Sequence, residues 1–183
     1  MSSVTASSAS GTMLRRFRRS RSASAAVEFA LIAPLFFGLL FAIIETALVF
    51  FAGQALETAT QEASRAFLTD QAQSQGTKPA DFKQSICNGV QALLDCGKLD
   101  IDVQSYPPGT PITMASPIEG GAYNAKNLSY NLPPAGSQNT VVIRSFYQWP
   151  LFVTGLGYNI ANIGGGKTAG YFLLTSTVAL RAQ

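Results

Sequence analysis

Histidine is absent from the 183 residues, cysteine occurs twice, tryptophan once, and charged residues make up only 13%. Without histidine the chain lacks the commonest general base, and the usual serine and cysteine triads are excluded. Two cysteines cannot by themselves close a structural zinc site. Acidic residues are also missing ahead of Glu28, although five arginines stand there: Arg15, Arg16, Arg18, Arg19 and Arg21. Beyond residue 51 the charges balance, eight basic against eight acidic, so the net charge of +3 comes from one short serine-rich cluster. Basicity confined to such a cluster beside an apolar run is a topology signal and excludes a nucleic-acid-binding surface as the leading reading.

What the sequence does have is hydrophobic length. From Ala25 to Phe51 the only charges are Glu28 and Glu45, in a run of 27 residues against the ~20 that cross a bilayer core. A cleaved secretory signal has an apolar core of only about 7 to 15 residues, and the LRRFRR stretch matches a twin-arginine signal only loosely. The positive-inside rule keeps the arginine cluster cytoplasmic and sends the chain beyond residue 52 across the membrane. Sixteen residues lie between the two glutamates, roughly 25 Å on a helix, so both are expected near an interface. Glu28 reads equally as a carboxylate snorkelling beside the arginines or as a functional group awaiting a cation.

The run AAVEFALIAPLFFGLLFAIIETALVFFAGQALETATQEASR resembles the TadE-like pseudopilin module of tight-adherence (Tad) pilus systems, a branch of the type IV pilus machinery. The resemblance covers about a quarter of the chain. It rests on Ala25, Ala26, Val27, Glu28, Phe29, Pro34 and Glu45, the QAL stretch from Gln54, and the ASR triplet ending at Arg65. It implies removal of the basic leader by a prepilin peptidase between Ala23 and Ser24, which makes Glu28 the fifth residue of the mature chain. The family pattern prefers glycine where Ala23 stands. The new amino group would lie one helical turn from Glu28, and the resemblance implies that Glu28 neutralises this amine in its own or a neighbouring subunit. A buried carboxylate costs least when paired, so the pair would set the axial register between subunits.

Past the span, Leu56, Ala59, Ala63 and Phe67 continue the helical spacing to about residue 72, with Glu57, Glu62 and Arg65 at polar positions. Gly76 and Pro79 break the pattern. A second helix then carries Phe82, Ile86, Val90, Leu93 and Leu94 on a core face and ends near Gly97. KLDIDVQSY alternates, with Leu99, Ile101 and Val103 inward and Asp100 and Asp102 on a solvated face, where no calcium-loop spacing suggests a metal. NTVVIRSFYQW and GYFLLTSTVALR read as two further strands. Residues 107 to 138 hold six of the nine prolines and read as a long irregular connection. The apolar Leu151, Phe152 and Val153 are expected to cover the sheet, with a lipid or pilus-subunit contact as the alternative.

On the exported side a disulfide is the default for Cys87 and Cys96. Nine residues of unbroken helix would hold their Cα atoms about 13.5 Å apart, beyond the roughly 4.4 to 6.8 Å a disulfide spans, so the second helix must break if they pair, with Asn88-Gly89 and Gly97 as candidate sites. GGGKT at 164 to 168 fails as a phosphate loop because Ala161 occupies its first glycine position.

The expected fold is therefore α+β, with a basic leader over 1–23, a transmembrane helix with an outer extension over 24–72, and an extracytoplasmic domain over 73–183 holding a second helix and an antiparallel sheet of about three strands. The expected function is that of a non-catalytic minor pseudopilin acting in Tad pilus assembly, with no cofactor and no metal. It would sit in the bacterial inner membrane as a single-pass protein, N-terminus cytoplasmic and C-terminal domain periplasmic. Its partners would be membrane lipid, the prepilin peptidase, and other pilins or pseudopilins with the Tad machinery. The alternative is an uncleaved membrane-anchored periplasmic binding or scaffold protein.

Overall fold

The computed structural model describes residues 21–68, 78–134, 136–156, 158–164 and 170–182. Helix α1 covers Arg21–Leu68, α2 Pro79–Val90, and the strands are β1 Leu99–Tyr106, β2 Ile118–Glu119, β3 Ala122–Tyr123, β4 Thr140–Pro150 and β5 Tyr171–Arg181. The expected end of the first helix at residue 72 lies outside the described residues. The chain divides into two compact units, Met1–Ile43 and Ile44–Gln183.

In the first unit the described chain is the opening stretch of α1, apolar on every side. Leu31, Leu35 and Phe29 are among many large side chains there that stay exposed. A helix apolar all round is the pattern of a membrane span, since a soluble helix keeps a polar face. Pro34 sits inside it and removes one backbone donor, a loss that membrane helices tolerate.

In the second unit α1 continues over residues 44–68 with a buried stripe of Glu45, Val49, Ala52, Leu56, Ala59 and Ala63. The alternating steps of four and three keep these side chains on one face. That face packs on a three-stranded antiparallel sheet of order β1-β4-β5. Leu56, Leu99, Val103, Val141, Ile143 and Leu174 form the centre of this core. Thr60 marks the contact: its hydroxyl donates back to the Leu56 carbonyl at 2.7 Å and lies 2.6 Å from the Ser145 hydroxyl on β4. At the other end of the same helix face Glu45 meets Phe152. Thr60 meets Ser145 and Glu45 meets Phe152, just past the end of β4, so α1 and the end of β4 run side by side in opposite directions.

Phe82, Ile86 and Val90 of α2 complete the core. Gly89 is required by this packing, because a Cβ there would come within 2.8 Å of the Ala59 Cβ on α1. The helix runs through Asn88 and Gly89 and ends at Val90, after which the chain turns into a short 3-10 helix at Cys96–Lys98. That turn brings the Cα atoms of Cys87 and Cys96 to 5.6 Å, and the two form a disulfide. Asp95 caps the turn by accepting from the Gly97 amide at 2.9 Å. Leu94 is buried as expected, but Leu93, expected beside it on the core face, is 37% exposed, because both lie in the turn past the helix end, where helical spacing no longer sets the facing.

The connection from β1 to β4 is less irregular than its composition suggests. β2 and β3 form a two-residue ribbon around Gly120 and Gly121, whose φ angles of 59° and 81° suit a turn with both central residues left-handed. Further along, Tyr130 bridges Val103 of β1 in parallel. This coil lies over the second face of the sheet, where Tyr123 and Leu128 pack on Phe146, Ile163 and Leu173.

Candidate functional site

Two glutamates of α1 are the candidates, and the structure gives them different surroundings. Ala23, Ser24 and Glu28 all lie on α1, so the spacing of one turn between positions 24 and 28 is realised. Glu28 is exposed, among exposed Ala25, Ala26, Val27 and Phe29. Of the arginine cluster, Arg21 opens α1, while Arg15, Arg16, Arg18 and Arg19 lie outside the described residues.

Glu45 is buried to 5% exposure. Its carboxylate accepts from the backbone amides of Phe152 and Val153, the latter at 3.2 and 3.3 Å to its two oxygens. Val153 opens a short 3-10 helix, Val153–Leu156, whose first amides have no internal acceptor. The carboxylate supplies one, and the amides offset its loss of water. The adjacent Thr46 hydroxyl lies 3.0 Å from that of Tyr158. Leu151 and Val153 are buried, in keeping with sheet cover, but Phe152 between them is 79% exposed.

The expectation for Asp102 is corrected. It is 1% exposed, and directly across the ladder stands Arg144, 7% exposed. Arg144 donates to Asp102 Oδ2 from Nε at 2.8 Å and from Nη2 at 2.6 Å, and from Nη1 to the Ala115 carbonyl at 3.0 Å. Asp102 Oδ1 accepts from the Ser129 amide at 2.8 Å. The guanidinium lies 5.3 Å from the Phe146 ring centroid, within cation–π range. The coil laid over this face makes it an interior, and a buried pair survives there because nearly every polar atom has a partner. Asp100, its neighbour on the same face, accepts from the Tyr123 hydroxyl at 2.9 Å. Burial first, and then that bond to Asp100, raise the Tyr123 pKa.

Sequence reasoning missed both arrangements, although each left a trace. Arg144 stands alone in the apolar strand TVVIRSFYQW, which calls for a partner. Glu45 stands in an apolar helix with no basic residue between Arg21 and Arg65, so its partner had to come from elsewhere in the chain. The GGGKT stretch lies almost wholly outside the described residues. Among the described residues no cluster of three or more His, Cys, Asp or Glu side chains is placed to hold a metal.

α1 is long and apolar enough to cross a membrane: its stretch Ala25–Arg65 reaches a mean hydropathy of 2.4 over its most apolar window, of which 6% is buried. Among families, residues 23–65 match the TadE-like proteins. No curated protein and no solved structure matches the chain.

Proposed function

We propose, from the TadE-like segment at residues 23–65, that this chain is a minor pseudopilin that takes part in assembly of a Tad-type pilus. The observation that carries the reading is the opening of α1, apolar on all sides and exposed, with Glu28 one turn beyond Ser24. A bilayer covers such a surface before assembly, and neighbouring apolar helices cover it afterwards. The five arginines orient the span with its N-terminus cytoplasmic, in the bacterial inner membrane, and the Cys87–Cys96 disulfide suits the oxidising periplasm on the other side.

In this reading a prepilin peptidase cuts between Ala23 and Ser24. The amine so formed meets a Glu28 carboxylate, of the same or a neighbouring subunit, and the pair fixes axial register. The partners are lipid, the peptidase, and other pilins or pseudopilins of the Tad machinery. The work is assembly rather than turnover of a substrate.

Mass spectrometry of the membrane-inserted protein's N-terminus, with and without the host's prepilin peptidase, tests this. A peptidase-dependent start at Ser24 is the expected result. An intact leader in both cells would contradict it and favour an uncleaved anchor carrying a periplasmic binding or scaffold domain.

A further inference from the structure

The loop after β4 has a property that sheet cover does not explain. Leu151 and Val153 are buried at 8% and 9%, yet Phe152 between them projects with 79% of its surface exposed, as much as Leu35 of the span. A phenyl group fixed outward by buried neighbours on both sides is a placed feature rather than a loose one. Its placement is set by α1, because the amide of Phe152 itself donates to Glu45.

The residues around Glu45 say what surface Phe152 meets. The apolar run from Ala25 reaches the ~20 residues that a bilayer core requires at about Glu45. Ile44, Leu48, Phe50 and Phe51 on either side of it are exposed. Tyr158, tied to Thr46, is 40% exposed, and Tyr171, which pairs with Pro150 at the same end of the sheet, is 42% exposed. Exposed aromatics at one level, with polar tips on two of them, form the kind of belt that proteins place at the lipid headgroups. The sequence between Arg144 and Lys167 carries no charge, which suits an apolar and aromatic loop laid against the headgroup boundary. At the opposite end of the sheet the exposed contact is polar, Arg181 donating to Gln138 at 2.8 Å.

We propose that this end of the outer domain is a second membrane contact, in which Phe152 inserts into the lipid interface and Glu45 is the latch that fixes the loop to the helix at that depth. The inference rests on α1 being the membrane anchor. The domain then touches the bilayer at a second point besides the span.

The test uses the full chain in nanodiscs of phosphatidylcholine and phosphatidylglycerol, with Trp149→Phe as background. Single tryptophans are placed by Phe152→Trp, by Leu39→Trp in the span, and by Gln138→Trp at the far end of the sheet. With lipids brominated just below the headgroup, Phe152→Trp should lose at least half its emission and shift to the blue, while Gln138→Trp stays unquenched. Phe152→Trp unquenched beside a quenched Leu39→Trp overturns the inference and leaves the anchor intact. Neither quenched overturns both, and Gln138→Trp quenched as strongly as Phe152→Trp shows general adsorption and also overturns the inference. Carbene photolabelling of the unsubstituted protein from the lipid phase is a second readout: adducts on Phe152 and Tyr158 support the contact, and their absence while the span is labelled refutes it.

Discussion

One helix serves two surroundings, and the two stretches of α1 differ in polarity, with Glu28 the one charge in residues 25–43 against Glu45, Glu57, Glu62 and Arg65 in residues 44–68, and in the size of the side chains they present. Residues 25–43 present Phe29, Leu31, Leu35, Phe36, Phe37 and Phe41 outward. Residues 44–68 turn a face of Val49, Ala52, Leu56, Ala59, Thr60, Ala63 and Ser64 onto the sheet. Small side chains let a helix approach closely, and Thr60 and Ser64 satisfy their hydroxyls by donating back to the carbonyls of Leu56 and Thr60. Large ones present apolar area to a surrounding that conforms to them, as lipid does. The two glutamates divide in the same way: Glu45 is consumed by the fold, whereas Glu28 stands on an exposed surface.

Truncation on each stretch gives the largest predicted contrast. Leu56→Ala empties a fully buried site and should lower the stability of the second unit by about 3 to 5 kcal/mol. Leu35→Ala, at 79% exposure, should leave it within about 0.5 kcal/mol. Urea unfolding in detergent, followed by Trp149 beside Tyr147, reports both, and equal losses would erase the distinction between the two stretches.

Asp102→Ala, which strands the buried Arg144, should cost a similar ~3 to 5 kcal/mol. The double change Asp102→Leu with Arg144→Met should recover much of that. Should the double variant be the less stable of the two, the sheet's second face is not the interior described.

Most of the sheet was legible in the sequence, and the reason lies in its regular face. Leu99, Ile101 and Val103 alternate, and β4 and β5 are rich in branched and aromatic residues, so their strand character is plain. α2 was legible from Phe82, Ile86 and Val90. The burial of Asp102 was not, because it depends on a proline-rich coil with no periodicity to read. IEGGAY at 118–123 carried a two-glycine hairpin signal that its proline-rich setting obscured. The resemblance over residues 25–65 reached only as far as α1, so the latch between Glu45 and the 152–153 amides, which joins α1 to the chain's last third, was beyond it.

Removing the disulfide by Cys87→Ser with Cys96→Ser should cost about 2 to 3 kcal/mol, as expected for a short closed loop, and should leave the span unaffected. Reducing agent should reproduce the loss in the unsubstituted protein.

The smallest effect concerns alkaline pH and again belongs to the covered unit. Burial first, and then the nearby Asp81 charge, push Tyr130 up to about 12 from its ordinary 10.0, and Tyr123 is raised too. The folded protein therefore keeps phenolic protons that the unfolded chain releases. Stability should be full below pH 10 and decline as pH rises towards 12. Tyr130→Phe should flatten that decline in urea midpoints taken across this range, and an unchanged slope would contradict it.

Glu28→Ala tests the division of labour between the two glutamates most directly, measured as assembled pilus per cell alongside the urea midpoint of the second unit. If Glu28 sets the register between subunits, pili should be lost while the midpoint stays that of the unsubstituted protein. Full pilus assembly by Glu28→Ala would contradict the account.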